Sequence, residues 1–534
     1  MFLVVIGTVV IHLVRHFYKR SANSLRNVRG PPAENFVFGN LRQLMSSEGY
    51  NFHADLTQHY GRVVKLHSLL GANDLYVFDH AAMETILVKE ESIFNMPDAL
   101  LAANHLIFGP CLVSTSGARH RRARKILNPV FSLSRLKAIS PVICEIANQQ
   151  TSAELATKIT CESEVDMLEV LGSAALEYIG QGGLGHSFAT HKVEALRDMK
   201  ELLFAAKRLI VPIQALPFLM KVLPAGLRRR LIDYIPLPDL HLLRDLVDSL
   251  NDTSRNILEE KKQTLNEKNN DLSGQIGQGK DITTLLMKAV ASDQAESWMS
   301  DEEILGQMNV LLFAGTDTTG TVMSRCLQEL ALHPEVQERL RQEITAVSHC
   351  VDLSYEAIDS LPLLEAVCRE TLRLYPPAIT ASRQALADTS LPLSKPIIGV
   401  DNTEIREVFV PAGTLVHIGI KAANQDQSIW GPDATAWKPE RWSALPETLV
   451  NAKVPGVYTK LMTFIGGPRG CIGFKFAEMV MKTTIAILVK DFVFSLSEKQ
   501  IVWKLGVAEA PTVGGKHALP MKVKKVIYNG NVDS

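Results

Sequence analysis

The sequence lacks the usual signs of a disulfide-linked, nucleic-acid-binding or repeat protein. Lys and Arg total 56 and Asp and Glu total 57, and the formal net charge of −1 gives no indication of a nucleic-acid partner. No internal repeat, long low-complexity linker, flavin fingerprint or nicotinamide fingerprint occurs. Seven cysteines, an odd and scattered number, do not indicate a disulfide framework. Six are expected to be reduced thiols of a cytosol-facing protein: Cys111, Cys144, Cys161, Cys326, Cys350 and Cys368.

Acidic residues are absent from the N-terminal segment, which is apolar from Met1 to Val14 and basic after it. Fourteen helical residues span only about 21 Å of a hydrocarbon layer of about 30 Å, so the next few residues must contribute. We predict a membrane anchor at residues 1–20 and a basic, proline-containing hinge at residues 21–34, with the remaining chain in the cytoplasm. A cleaved signal peptide is the alternative.

A second apolar tract, Leu209 to Leu223, is interrupted by Pro212 and Pro217 and is followed by a cluster of three arginines. It is suited to lie on a lipid surface, and ordinary packing between helices is an equal alternative. The polar segment from Lys262 to Lys280 is expected to be an exposed connection without catalytic function.

A glycine-rich loop near the C-terminus contains one cysteine and reads Phe464-Ile465-Gly466-Gly467-Pro468-Arg469-Gly470-Cys471-Ile472-Gly473. Glycines allow a backbone to approach a flat macrocycle, and amides around Cys471 can stabilise a thiolate that binds haem iron. Arg469 can donate two hydrogen bonds to a haem carboxylate. The alternative is a buried free cysteine.

A long helix is predicted from the capping box of Ser300 and Glu303 to His333-Pro334. Its centre reads Ala314-Gly315-Thr316-Asp317-Thr318-Thr319. Gly315 would leave room for a bound gas or substrate, the Thr318 hydroxyl could turn to a water, and Asp317 could carry protons. A solvated helix end or a threonine bonded to its own backbone is the alternative.

Glu370 and Arg373 lie one helical turn apart before two prolines, and Arg441 follows within Trp437-Lys438-Pro439-Glu440-Arg441-Trp442. Such a pair on its own is commonly a surface interaction worth a few tenths of a kcal/mol.

Taken in order, these motifs resemble those of the cytochrome P450 family over roughly residues 28–525. Length alone would suggest about two to four domains. The resemblance instead implies one catalytic domain, residues 35–534, mainly α with a smaller β lobe around a buried, thiolate-ligated haem b. It also implies that Asp317 and Thr318 form a distal acid-alcohol pair.

The same resemblance implies further contacts with the haem and its proximal side. Phe464 and Gly473 belong to the Cys471 loop, and Glu370, Arg373 and Arg441 form a buried charge network. Three other residues are implied at the haem propionates, where His120 stands in place of the family's usual tryptophan: His120, Arg124 and Arg383. The remaining basic residues of that helix suit an acidic electron donor: Arg119, Arg121, Arg122 and Lys125.

The resemblance implies a haem-thiolate monooxygenase that uses O2, a hydrophobic substrate and electrons from NADPH through a separate NADPH-cytochrome P450 reductase. The expected location is the endoplasmic reticulum membrane, with the catalytic domain on its cytosolic face. The mainly aliphatic segments that would line the pocket are residues 106–112, 203–213, 312–314 and 378–381. Two alternatives remain open, a cysteine-ligated haem isomerase or dehydratase that needs no reductase, and a non-catalytic haem sensor.

Overall fold

A computed structural model describes residues 25–161, 163–189, 192–266, 281–291, 299–348, 354–506 and 508–527. Most of these residues are helical. The α-helices in chain order are α1 Leu41–Leu44, α2 Tyr50–His59, α3 His80–Glu84, α4 Asp98–Phe108, α5 Gly117–Val130, α6 Leu133–Glu145, α7 Ala153–Cys161, α8 Met167–Glu177, α9 Lys192–Arg208, α10 Leu216–Val222, α11 Ala225–Ile232, α12 Pro238–Asn266, α13 Ile282–Ala291, α14 Asp301–Leu332, α15 Pro334–Ser348, α16 Tyr355–Asp359, α17 Pro362–Leu374, α18 Ile420–Asn424, α19 Gln427–Trp430, α20 Glu447–Asn451 and α21 Phe474–Asp491.

The strands are short and belong to several small sheets. In chain order they are β1 Val63–His67, β2 Asn73–Val77, β3 Phe94–Asn95, β4 Val165–Asp166, β5 Thr380–Ala385, β6 Thr389–Ile398, β7 Glu404–Val410, β8 Leu415–Gly419, β9 Gly456–Tyr458, β10 Leu461–Gly466, β11 Phe492–Leu496, β12 Val502–Lys504, β13 Ala510–Val513, β14 Lys516–His517 and β15 Pro520–Lys525.

The main sheet has five strands in the order β1-β2-β8-β5-β3. Strands β2 and β8 are parallel, with Leu75 opposite Val416, and the other pairs are antiparallel. Val416 also lies opposite Arg383 of β5, so this sheet fixes the position of one predicted site residue. A mainly helical protein with a smaller β component is confirmed.

The N-terminal end of the described chain is held against this sheet region by Arg29. Its Nε donates a hydrogen bond to the Gly399 carbonyl at 2.9 Å, and its own carbonyl accepts one from the Lys65 amide at 2.9 Å. A Cβ added at the next residue, Gly30, would lie 1.8 Å from the Lys65 carbonyl oxygen, so only glycine permits this close approach.

The largest hydrophobic core surrounds helices α14 and α21. Both helices carry buried side chains on every face, for example Cys326, Leu327 and Leu330 of α14. A helix that is apolar all round is stable only when other elements enclose it. Helix α14 packs against α8, α17 and α21, which places its centre in the interior.

The predicted start of α14 is confirmed by its hydrogen bonds. The Ser300 hydroxyl accepts a bond from the Glu303 amide at 3.2 Å, and the Glu303 carboxylate accepts one from the Ser300 amide at 3.0 Å. These two bonds satisfy two otherwise free helix donors. The helix ends at Leu332, before His333-Pro334, as the sequence predicts.

Several sequence interpretations differ from the structure or lie outside its described part. The prediction of an exposed connection from Lys262 is wrong at its start, because α12 continues to Asn266. The tract from Leu209 to Leu223 forms a 3-10 turn and α10, whose side chains are mostly half-buried and pack on α4. Residues 1–20, the predicted anchor, lie outside the described residues. Among the described helices, none has the length and apolar character needed to span a bilayer.

Candidate functional site

The cysteine loop connects strand β10 to helix α21 through a backbone that only certain residues can adopt. Gly467 has φ +69°, and a Cβ there would lie 1.9 Å from the Leu87 carbonyl oxygen. The Cys471 amide donates a hydrogen bond to the Phe464 carbonyl at 2.8 Å, which closes the loop. The loop therefore presents Cys471 immediately before the first turn of α21.

The surroundings of the Cys471 sulfur shift the pKa of its thiol in both directions. Burial is the main influence and raises the pKa of the Cys471 thiol, while the Gly473 amide and the Arg124 guanidinium act in the opposite direction. The Cys471 side chain nevertheless has accessible surface, although burial dominates its ionisation. Both observations hold if the sulfur faces an internal chamber.

Helix α14 carries accessible side chains at its centre, although the helix runs through the interior. Ala314 and Thr318 are exposed and Asp317 is half-exposed, whereas Thr319 and most later residues are buried. Ala314 and Thr318 are one turn apart and share a face. Together with Cys471, they fit a chamber of the kind that a planar cofactor and a substrate occupy.

Asp317 and Thr318, the two residues predicted to form an acid-alcohol pair, both have accessible surface on this part of α14. Burial raises the pKa of Asp317 to about 6, and Lys200 on helix α9 has a smaller opposing effect. The Thr318 hydroxyl donates a hydrogen bond to the Ala314 carbonyl at 2.7 Å, which is the bond to its own backbone named above as the alternative. Asp317 can therefore change its protonation state near neutral pH, and Thr318 can exchange a backbone partner for a water.

The surroundings of Gly315 differ from the prediction that this glycine leaves space for a ligand. A Cβ added there would lie 2.9 Å from Cγ1 of Ile179, in the π-helical segment Tyr178–Leu184. The space that Gly315 leaves is filled by this isoleucine. Its observed role is close packing of α14.

Basic side chains from separate parts of the chain meet around Arg469 of the Cys471 loop. Arg383 is buried, and burial together with Arg469 lowers its pKa to about 10. Burial lowers the pKa of His120 to about 4, with contributions from Arg469, Arg124, Arg121 and Arg383. Glu91 is the acid that acts on both Arg383 and Arg469. His120 is therefore neutral near pH 7, and the excess positive charge comes from the two arginines, Arg383 and Arg469.

Such an excess is stable only with an anion nearby. A haem carries two propionates, and Arg383 and Arg469 fit them in charge, whereas the neutral His120 can donate a hydrogen bond. The Cys471 sulfur fits the iron in donor chemistry. The residues present therefore fit a haem, and those that would hold it are the sequence-predicted ones. Arg469 also donates to the Asn95 side chain at 3.1 Å and the Thr115 carbonyl at 2.9 Å.

Arg124 is brought to the cysteine loop as well as to the basic cluster. Its Nη1 donates to the Gly470 carbonyl at 2.6 Å. Of the other basic residues on α5, Arg119, Arg121 and Lys125 are exposed. Arg122 forms an ion pair with Glu303 at 2.6 Å, so its expected place on a free basic surface is not observed.

The predicted charge network is assembled and fully buried. Arg373 donates two hydrogen bonds to the Glu370 carboxylate, at 2.9 and 2.8 Å, and Nε of Arg441 reaches the same carboxylate at 3.4 Å. The sequence interpretation missed two partners. Trp442 donates from its indole to Glu370 at 3.0 Å, and Asp433 binds Arg441 at 2.7 Å.

Phe464 packs its ring among aromatic neighbours. Its ring centroid lies 5.6 Å from that of Tyr458 and 6.0 Å from that of Phe474. The Tyr458 hydroxyl donates to Glu478 at 3.1 Å, and Glu478 also pairs with Lys482 at 2.9 Å. The sequence did not indicate that these three rings meet, because Tyr458 and Phe464 lie on two strands and Phe474 on α21, whereas Glu478 and Lys482 are one turn apart on α21.

Parts of three of the four predicted pocket segments meet in one hydrophobic cluster. Ile107 and Phe108 of α4 contact Val310 of α14, and the ring centroids of Phe108 and Phe313 are 5.0 Å apart. Ala206 of α9, in segment 203–213, packs against the same cluster. The apolar character expected for a substrate pocket is therefore present next to α14.

Comparisons with known proteins agree with this geometry. The family model described as cytochrome P450 matches residues 29–506. The chain is 41% identical over 523 residues to cytochrome P450 monooxygenase 81 of Postia placenta, covering 96% of this chain and 95% of the relative. It is 37% identical over 530 residues to a ganoderic acid synthetase of Ganoderma lucidum, covering 97% and 96%. A cytochrome P450 monooxygenase of Hericium erinaceus is 36% identical over 526 residues, covering 95% and 94%. The chain belongs to the cytochrome P450 family and is a monooxygenase of that family.

Proposed function

We propose that the protein inserts one oxygen atom of O2 into a C–H or C=C bond of a hydrophobic substrate, using NADPH-derived electrons from a separate reductase. The observation that carries this proposal is the pair Asp317 and Thr318 on the accessible face of α14. A carboxyl group whose surroundings raise its pKa to about 6 can give and take protons under physiological conditions. The two alternatives, an isomerase or dehydratase and a haem sensor, do not require such a proton-transferring carboxyl group.

Each residue has a separate task in this proposal. Cys471 binds the iron, and the haem, when bound, supplies the activation of O2. The Gly473 amide and Arg124 support the charge of the sulfur. Asp317 passes protons inward and Thr318 holds a water on their path. The cluster of Phe108, Phe313 and its neighbours excludes bulk water and orients an apolar substrate.

For the substrate, we propose a chemical class rather than a single compound. The aliphatic cluster favours a hydrophobic molecule, and one similar protein is named for the synthesis of ganoderic acid, a secondary metabolite. We place the substrate among terpenoids or related secondary metabolites. Xenobiotic oxidation is the second candidate, and a panel of hydrophobic compounds screened for a spin-state shift in the haem-loaded protein would separate the two.

The proposed location is the endoplasmic reticulum membrane, with residues 1–20 as the anchor and the catalytic domain on the cytosolic face. Exposed apolar side chains beside arginines support a second lipid contact, since Val211, Val222 and Leu227 precede or accompany Arg229 and Arg230. Fractionation of cells that express the full chain checks this. Recovery in the soluble fraction at low salt would contradict it.

The decisive experiment for the reaction compares product formation with NADPH plus reductase, with either one alone, and with a hydroperoxide alone. We expect product only when NADPH and reductase are both present, with one atom of labelled O2 in the product. Turnover of a hydroperoxide as the sole activity would support the isomerase alternative. Binding without any turnover would support the sensor.

A further inference from the structure

A groove of about 720 Å³ lies between the N-terminal helix α1, the end of α9 and the strands near the C-terminus. Its walls are largely apolar, with Phe38, Leu41 and Met45 on one side and Ile210 and Leu505 on the other. None of the predicted haem, proton-path or charge-network residues lines it, although part of the predicted pocket segment 203–213 does. The groove therefore lies apart from Cys471 and Asp317, and it is large enough for a substantial part of a small molecule.

The charged side chains that line the groove are all basic. Arg42, Arg208 and Lys504 contribute to its surface, and the residues that line it include no Asp or Glu. Burial and Lys200 lower the pKa of the fourth titratable group, His517, which favours its neutral form. Arg208 is paired with Asp239 at 2.6 Å and Lys504 with Glu48 at 2.8 Å. Both partners lie outside the lining of the groove.

Arg42 has no carboxylate partner among the residues that the structure describes. Its guanidinium instead lies over the Phe38 ring, with the carbon atom 3.9 Å from the ring centroid. A cation held over an aromatic face keeps its edge free to donate hydrogen bonds. Arg42 is thus a fixed, positively charged donor beside an apolar surface.

The groove adjoins the chain segments that line the proposed substrate pocket. Arg208, Ile210 and Val211 belong to the predicted segment 203–213. On the opposite wall, Ala508 and Ala510 flank Glu509, whose amide donates to the Pro377 carbonyl at 3.0 Å, directly before segment 378–381. A molecule in the groove therefore lies beside two of these segments.

We propose that this groove binds amphipathic substrates through a carboxylate, with Arg42 as the main contact and Lys504 and Arg208 as supporting charges. The apolar walls would hold the hydrophobic body of the same molecule. This inference rests on the proposed function, because it assigns the groove to the substrate of that reaction. It predicts selection for acids over neutral or cationic molecules with the same hydrocarbon body.

The test uses three probes that share one hydrocarbon chain, dodecanoate, its methyl ester and dodecylamine, below their micellar concentrations and without vesicles. Binding to the full-length, haem-loaded protein is measured by equilibrium dialysis, which needs neither NADPH nor reductase. The variants are Arg42→Gln, Arg42→Gln with Lys504→Gln, and the charge reversal Arg42→Glu. The matched control is Arg135→Gln, an exposed helical arginine on α6. Circular dichroism and the reduced carbonyl spectrum verify that each variant is folded.

We expect dodecanoate to bind about tenfold more tightly than the ester in the unchanged protein and in the control. This preference should fall to about twofold or less in the double variant, and Arg42→Glu should favour the amine. Equal binding of acid and ester by the unchanged protein would overturn the inference. So would an acid preference that persists in the double variant, or one that is present only with anionic vesicles, which would indicate a lipid headgroup site.

The outcomes also separate this inference from the proposed function. Loss of NADPH-dependent turnover with intact acid selection in dialysis would contradict the monooxygenase proposal alone. Intact turnover of neutral substrates with equal binding of acid and ester would contradict only the inference about the groove.

Discussion

Arg124 donates a hydrogen bond from Nη1 to the carbonyl oxygen of Gly470 at 2.6 Å, one residue before Cys471. Residue 124 lies on α5 and residue 470 in the loop between β10 and α21, so one side chain ties the two together. Because its charge also acts on the Cys471 sulfur, Arg124 combines a structural and an electrostatic influence on the same atom.

We first predict that Arg124→Leu reduces the fraction of protein that shows the shifted Soret band of the reduced carbonyl adduct. The variant loses the bond to Gly470 and the charge near the sulfur, so the loop no longer holds its geometry. Arg124→Lys should restore part of the band. Arg119→Leu, on the exposed side of α5, is the control. An unchanged spectrum in Arg124→Leu would show that the loop is positioned without this contact.

Replacement of the sulfur itself is the second test. Cys471→Ser should abolish the shifted Soret band while leaving the fold intact, because the side chain is nearly isosteric and only the donor atom changes. Circular dichroism provides the control for folding. Persistence of the band would mean that another residue binds the iron.

Asp317 gives a pH-dependent prediction with a defined sign. Its pKa in the folded protein is about 6, above the ordinary value of 3.8, so the folded state binds more protons than the unfolded state between these values. The free energy of unfolding should therefore fall as the pH rises from about 4 to about 6. Asp317→Asn should remove this dependence, which denaturation at several pH values will reveal.

The same substitution should affect turnover. If Asp317 donates protons, product formation falls as the pH rises through about 6, and Asp317→Asn lowers the rate by about 10²-fold or more and flattens the profile. Substrate binding, followed by the spin-state shift, should change little. A variant with the original rate and pH profile would remove Asp317 from the proton path.

The buried network around Glu370 predicts a large loss of stability. Glu370→Gln leaves Arg373 and Arg441 without their shared carboxylate in the interior, which should cost about 3 to 5 kcal/mol in the free energy of unfolding. Arg441→Lys is a milder variant if the first does not fold. The matched control is Glu404→Gln, which breaks an exposed ion pair with Arg406 and should cost under about 1 kcal/mol.

Gly315 gives a prediction that separates packing from ligand space. Gly315→Ala should destabilise the protein by about 1 to 3 kcal/mol, because the new methyl group would lie 2.9 Å from Ile179. Shortening the neighbour with Ile179→Ala in the same chain should recover much of that loss. If the loss of unfolding free energy in the double variant equals the sum of the losses in the two single variants, the two residues do not compete for space.

Local features of the sequence were sufficient for the central helix and for the Glu370–Arg373 pair. A capping box needs only residues 300 and 303, and a pair one turn apart needs only helical geometry, so both follow from short-range rules. The partners Asp433 and Trp442 could not be derived in this way. Trp442 reaches Glu370, and Asp433 reaches Arg441, only after the chain between residues 374 and 430 has formed parts of two sheets.

Short-range sequence features were likewise sufficient for only part of the candidate site. The cysteine loop is a local motif, and its positive φ at Gly467 agrees with the glycine requirement. The basic cluster of His120, Arg383 and Arg469 comes from a helix, a strand and a loop, and only the family resemblance placed these residues together. For Gly315, the missing side chain is evident from the sequence, but the residue that occupies the space is not, because Ile179 is distant in the chain.

The contact of Arg29 with residues 65 and 399 changes the expected action of Gly30-Pro31-Pro32. These three residues follow Arg29, which is already bound to the sheet region. They therefore cannot act as a hinge between the sheet region and the residues before Leu25. The described chain is therefore attached to the sheet region ahead of these three residues. Flexible residues inserted after Pro32 would leave this attachment unchanged, whereas the same insertion before Leu25 would lengthen the connection between the attachment and the first residues.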